Sequence, residues 1–104
     1  MKVYLVTDGT GLYKIGRSSD ANLRIKGLQT SNGRALDLLY AVDTEFGPKV
    51  EAIMHKRHAA KRTKGEWFAL NQEDLERFVM EVTEIDKNLQ YVDQNSTLEN
   101  PLGY

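Results

Sequence analysis

Two apolar runs lie either side of Asp8-Gly9-Thr10-Gly11, and that arrangement constrains the fold more than any other feature of the chain. "KVYLVTD" (2–8) has β-branched and aromatic residues in alternation and reads as a strand. Asp-Gly and a second glycine supply the positive φ that a tight turn needs. "LYKIG" (12–16) is therefore expected to return antiparallel, so the chain commits to a hairpin before anything else. At 104 residues it suits one domain with a modest core.

The remaining segments fit around that hairpin. Asp20 is placed to cap a helix running to about Gln29, with Ala21, Ile25 and Leu28 as its buried stripe. "ALDLLYAVD" (35–43) predicts a third strand, and its apolar character suggests a central, covered position. Gly47-Pro48 marks the start of a helix over 48–63, which packs through Val50, Ile53, Met54 and Ala60. "EWFAL" (66–70) reads as a short strand or edge, with Trp67 and Phe68 in the core. Asn71 caps a last helix over 72–90, carried by Leu75, Phe78, Val79, Val82 and Ile85. Residues 91–104 are polar with proline and glycine, and are expected to form a loose tail. The order β-β-α-β-α-β-α predicts a small α/β (α+β) domain over 1–90, with a three-stranded mixed or antiparallel central sheet flanked by helices.

Composition narrows the chemistry. The absence of cysteine excludes disulfides, thiolate zinc sites and cysteine nucleophiles. The first apolar run is too short for a signal peptide and no later one could span a bilayer, so a soluble, cytoplasmic protein without a membrane partner is expected. The net charge of −1 conceals a split: residues 1–64 carry 12 bases and 6 acids (+6), and residues 65–104 carry 2 bases and 9 acids (−7). A polyanion-facing first part is one reading, and neutralisation of one part by the other in space is another.

On a helix over 48–63, Glu51, His55, His58 and Arg62 would fall within a stripe about 60° wide, bordering the core. A carboxylate, two imidazoles and a guanidinium so placed can hold a divalent cation and a phosphate, and they are also an ordinary solvated face. Zinc is not expected, because such sites usually draw ligands from several elements and neither cysteine nor a third histidine exists. Arg24 lies eight residues past Gly16 on the flank of the first helix. Convergence of Tyr4, Lys14, Arg17, Arg24 and Glu51 across one sheet face is one arrangement the spacing allows; a core tyrosine with unrelated surface charges is the other.

These residues, taken in order, resemble the GIY-YIG nuclease superfamily. "KVYLV" occupies the place of the Gly-Ile-Tyr strand and "KIG" that of Tyr-Ile-Gly; Arg24 matches the helical arginine and Glu51 the metal-binding glutamate. The succession "VYLV", "KIGRSSD", "LRIKGL", "VEAIMH" and "GEWFAL" over about 2–70 is most similar to a phage- and prophage-associated branch of the superfamily. The first motif lacks its glycine, and Lys14 replaces the second tyrosine, with Tyr13 next door pointing to the opposite face. The superfamily's late asparagine has no counterpart beyond Asn71, which is better explained as a cap.

The resemblance implies hydrolysis of DNA phosphodiester bonds assisted by Mg²⁺ or Mn²⁺. It implies a single divalent cation on Glu51, phosphate contacts from Arg24, and a water managed by Tyr4 with His55. It further implies nucleic-acid backbone contacts from Lys14, Arg17, His58 and Arg62, and a Gly16 that lets backbone and phosphate approach. Specificity would be low, or supplied by a homodimer or a partner protein. Two other functions stay open: a catalytically silent nucleic-acid-binding module, and a protein-interaction domain whose acidic last helix docks a basic partner.

Overall fold

A computed structural model describes residues 1–31 and 33–99. The hairpin forms as the sequence predicts: β1 (Lys2–Thr7) and β2 (Tyr13–Ser18) pair antiparallel, joined by a turn in which Gly9 and Gly11 have φ of 82° and 89°. Among the described residues the sheet has five strands, in the order β3 (Asp37–Asp43), β1, β2, β5 (Trp67–Phe68), β4 (Arg62–Lys64), where a three-stranded central sheet and one further short strand over 66–70 are expected; every pairing is antiparallel. Helix α1 (Ala21–Ser31) covers one face. Helices α2 (Gly47–Arg57) and α3 (Gln72–Glu99) cover the other. Val3, Leu5, Ile15 and Phe68 meet Val50, Met54, Phe78, Val82 and Ile85 on the α2/α3 side. Tyr4, Val6, Ala21 and Leu36 form a smaller core under α1, with Ile25, Leu28 and Trp67 packed against it.

The local signals at the helix starts hold. Asp20 Oδ1 accepts the Leu23 N–H at 3.1 Å, and Pro48 sits in the first turn of α2. Asn71 Oδ1 accepts from Asp74 N–H while Asp74 Oδ2 accepts from Asn71 N–H, both at 2.9 Å, a reciprocal cap that fixes the start of α3.

Three expectations are corrected. β3 (Asp37–Asp43) is an edge strand, not a central one. Its apolar residues are only partly covered: Leu38 packs under α1 and Val42 against the larger core, while Leu39 and Tyr40 stay exposed, Tyr40 stacking on Phe78 of α3 at 6.0 Å. Helix α2 stops at Arg57, not at residue 63. A single 3-10 turn (Ala59–Lys61) follows, and the chain then forms β4 (Arg62–Lys64), turns at Gly65 with φ 57°, and pairs β4 with β5 (Trp67–Phe68). Pairing of β4 with β5 supplies, between strands, the backbone hydrogen bonds that a continued helix would have made within itself. Finally, α3 continues through Glu99, because no proline or glycine interrupts 72–99; of the expected loose tail, residues 100–104 lie outside the described residues.

Candidate functional site

β5 is only two residues long, and its length creates the site. It pairs with Tyr13 and Lys14 of β2, and the last bond of that ladder runs from Ile15 N–H to the Glu66 carbonyl at 3.3 Å. Beyond it, Gly16–Ser18 have no strand on that side. Alternation along a strand aims the Arg17 N–H and C=O in the same direction as those of Ile15, into the uncovered edge. His55, from α2, takes the place of the absent strand: its Nε2 lies 2.8 Å from the Ile15 carbonyl. A carbonyl only accepts, so Nε2 carries the proton and Nδ1 keeps the lone pair, which receives Arg62 Nη2 at 3.3 Å.

A cleft of about 200 Å³ opens at this edge, lined by Tyr4, Arg17, Arg24, Glu51 and Glu66. Five elements of chain meet there: β1, β2, α1, α2 and the β4–β5 turn. Tyr4 is 1% exposed, and its ring crosses β2 above Gly16, its partner in the ladder. A Cβ at position 16 would stand 2.5 Å from Tyr4 Cζ and 2.9 Å from Cε1. Gly16 is thus glycine to make room for the tyrosine ring, which corrects the expectation that it admits phosphate. The Tyr4 hydroxyl lines the cleft without a hydrogen-bond partner among the described residues.

The charges are arranged unevenly. Arg17 Nε lies 3.7 Å from Glu51 Oε1, and Lys14 Nζ lies 2.7 Å from Glu66 Oε2. Arg24 is exposed and has no ion-pair partner among the described residues. Burial, reinforced by the neighbouring Glu66 charge, holds the Glu51 carboxyl above the ordinary glutamate value. Burial also pushes Glu66 upward, but the Lys14 hydrogen bond and charge outweigh it and leave that carboxyl below its ordinary value. Glu51, His55 and Glu66 each offer a ligand atom, and the three atoms lie within 4.8 Å of one another. The two carboxylates suit a hard divalent cation such as Mg²⁺ or Mn²⁺, while both nitrogens of His55 are already engaged, by the Ile15 carbonyl and by Arg62.

Most of the expected site residues come together, around a sheet edge instead of across one sheet face. Tyr4, Arg17, Arg24 and Glu51 line the cleft, with His55 and Arg62 alongside; Arg62 arrives from β4, not from α2. Lys14 and Arg17 alternate to opposite faces, and Lys14 is engaged by Glu66. His58 is not at the site. It is 8% exposed and faces α3, 3.9 Å from Asp74 and 3.7 Å from Glu81, because α2 ends just before it. The basic stretch that follows Glu51 is partly neutralised there too, through Arg57–Glu81 and Lys61–Asp74 ion pairs. Glu66 is not among the expected site residues, although it lies in the "GEWFAL" motif of the resemblance, just after a turn glycine and before the Trp-Phe pair.

An antiparallel α+β domain with a mixed acidic and basic cleft at an open strand edge is thus the class that fold and site define. The family model described as the T5orf172 domain matches residues 2–83, and the chain belongs to that family. No curated protein and no solved structure matches it. Among the described residues no helix is long and apolar enough to cross a membrane.

Proposed function

We infer that this chain is a metal-dependent endonuclease domain of the GIY-YIG type, acting on DNA phosphodiester bonds. The observation that carries the reading is the meeting of Tyr4, Arg17, Arg24 and Glu51 in one cleft, with a buried tyrosine whose hydroxyl is left to that cleft. Glu51 explains itself poorly in a simple phosphate binder, since a carboxylate repels phosphate unless a cation lies between them. A divalent cation bound at Glu51 would polarise the scissile phosphate and offset charge on the leaving oxygen.

The chain's own residues supply the rest. Arg24, which has no ion-pair partner among the described residues, donates from its planar fork to the phosphate as charge builds in the transition state. Arg17 holds the adjoining backbone phosphate through its guanidinium and its edge-facing amide. Tyr4 Oη positions the attacking water, and would take that water's proton only as the phenolate, having first given its own proton to solvent through the open cleft. His55 Nδ1 is occupied by Arg62, so in this reading His55 orients the site and fixes the β2 edge, and Tyr4 acts without a relay through it.

The test is nicking of supercoiled plasmid in Mg²⁺ or Mn²⁺, beside an EDTA control and the Glu51→Gln protein. Nicking that requires both the metal and Glu51 supports the nuclease. Absence of nicking together with a salt-sensitive gel shift would replace it with a silent nucleic-acid-binding module.

A further inference from the structure

Glu66 has no part in the roles above, yet it projects from the β4–β5 turn into the same cleft, across from Glu51. Two carboxylates from different elements, with an imidazole, place their ligand atoms within 4.8 Å of one another. A second observation points to a ligand in this space: the Tyr4 hydroxyl, on a side chain that is 1% exposed, lines the cleft without a protein partner. We propose that Glu66 is a second carboxylate ligand of the divalent cation held by Glu51, and that Lys14 competes with that cation for it.

This rests on the metal-dependent reading of the cleft and extends it. Lys14 Nζ engages Glu66 Oε2 at 2.7 Å, and no other side chain contacts the Glu66 carboxylate by hydrogen bond among the described residues. Lys14 is itself largely enclosed, 6.0 Å from the centroid of the Trp67 ring, so it cannot easily swing into solvent. Lysine and cation therefore act on one carboxylate with the same sign of charge. A cation bound by Glu66 would draw that carboxylate away from Lys14, so the charge of the lysine and that of the cation are set against each other through one side chain. The lysine that stands in place of a tyrosine thereby acquires a role of its own.

The experiment measures Mn²⁺ binding to the full chain, without DNA, by electron paramagnetic resonance of the free ion and by calorimetry. Four proteins are compared: the parent, Glu51→Gln, Glu66→Gln and Lys14→Met, each first checked for a parent-like circular dichroism spectrum. The expected result is binding by the parent, loss with Glu51→Gln, and weakening of about tenfold or more with Glu66→Gln, as loss of a charged ligand implies. Lys14→Met is expected to tighten binding, because it removes the competing positive charge. If Glu66→Gln binds Mn²⁺ as the parent does while Glu51→Gln fails, Glu66 serves only as the lysine's counter-ion and the proposal is overturned, with the metal reading intact. Unchanged or weaker binding in Lys14→Met overturns the competition. A parent that binds no Mn²⁺ at millimolar concentration overturns the metal reading itself, and this proposal with it.

Discussion

Tyr4 stands directly across the sheet from Gly16, and its ring fills the space that any side chain at position 16 would need. The pair couples the fold to the site, since the same overlap that forbids a Cβ carries the phenol from a central strand to the open edge. Gly16→Ala is expected to lower stability by about 1–3 kcal/mol, the usual range for overpacking. Thermal unfolding should reveal that loss, and Tyr4→Leu introduced beside it should recover part of it. Equal losses in both backgrounds would mean that the ring is not the obstacle.

Tyr4→Phe separates the two duties of that side chain. The hydroxyl has no protein partner among the described residues, so stability should change by less than about 0.5 kcal/mol. Plasmid nicking should fall by roughly 10²–10⁴, the range for loss of a general acid–base group. A stable variant with parental nicking would remove Tyr4 from the chemistry.

Glu51 gives a pH dependence with a definite sign. Burial and the nearby Glu66 charge raise its pKa in the folded protein. Its contribution to stability is therefore complete below the unfolded value and is lost as pH rises through the folded one. Glu51→Gln should match the parent in acid and exceed it at neutral pH, by no more than about 1 kcal/mol because the carboxylate still borders solvent. Denaturant unfolding of both proteins across pH 3–8 without added metal reads this difference; a variant less stable than the parent at neutral pH contradicts it.

Asp74 has the opposite sign. Burial acts to raise its pKa, but the Lys61 hydrogen bond and the Asn71 N–H win, and the carboxyl lies below its ordinary value. Its stabilisation is present above the unfolded pKa and disappears as pH falls through the folded one. Asp74→Ala should cost about 1–2 kcal/mol at pH 7, through the lost cap and the unpaired Lys61, and markedly less near pH 2. Denaturation curves at the two pH values decide it.

How far these features could be read from the sequence depends on the range of the interactions that fix them. The hairpin, the Asp20 and Asn71 caps and the Ala21/Ile25/Leu28 stripe rest on neighbours in the chain, and all form as the sequence predicts. Tyr4, Arg24 and Glu51 could be placed together because a resemblance in the order of motifs substitutes for long-range knowledge. Glu66 could not. Its position depends on Lys14 pairing with Trp67, and no local pattern specifies which strand a two-residue segment will join. His58 illustrates the reverse error: helical spacing aligned it with Glu51, but α2 ends at Arg57, with no proline or glycine to mark the stop. The apolar run of β3 suggests a central strand, but an edge strand can keep such residues half-exposed, as Leu39 and Tyr40 are, while only Leu38 and Val42 pack inward.

The short β5 has one more consequence. A strand with an unpaired edge is a template on which a second chain can add, and natural proteins guard such edges with charge. Here the guards at Gly16–Ser18 are Arg17, Glu51 and Glu66, the side chains of the cleft itself. In the proposed reading the side chains that meet a substrate are also the guards of this edge, so stripping the cleft of charge should carry a colloidal penalty that conservative, isosteric changes avoid. Loss of solubility and loss of turnover would then map to the same few positions, and an inactive variant is informative only when it is also monodisperse.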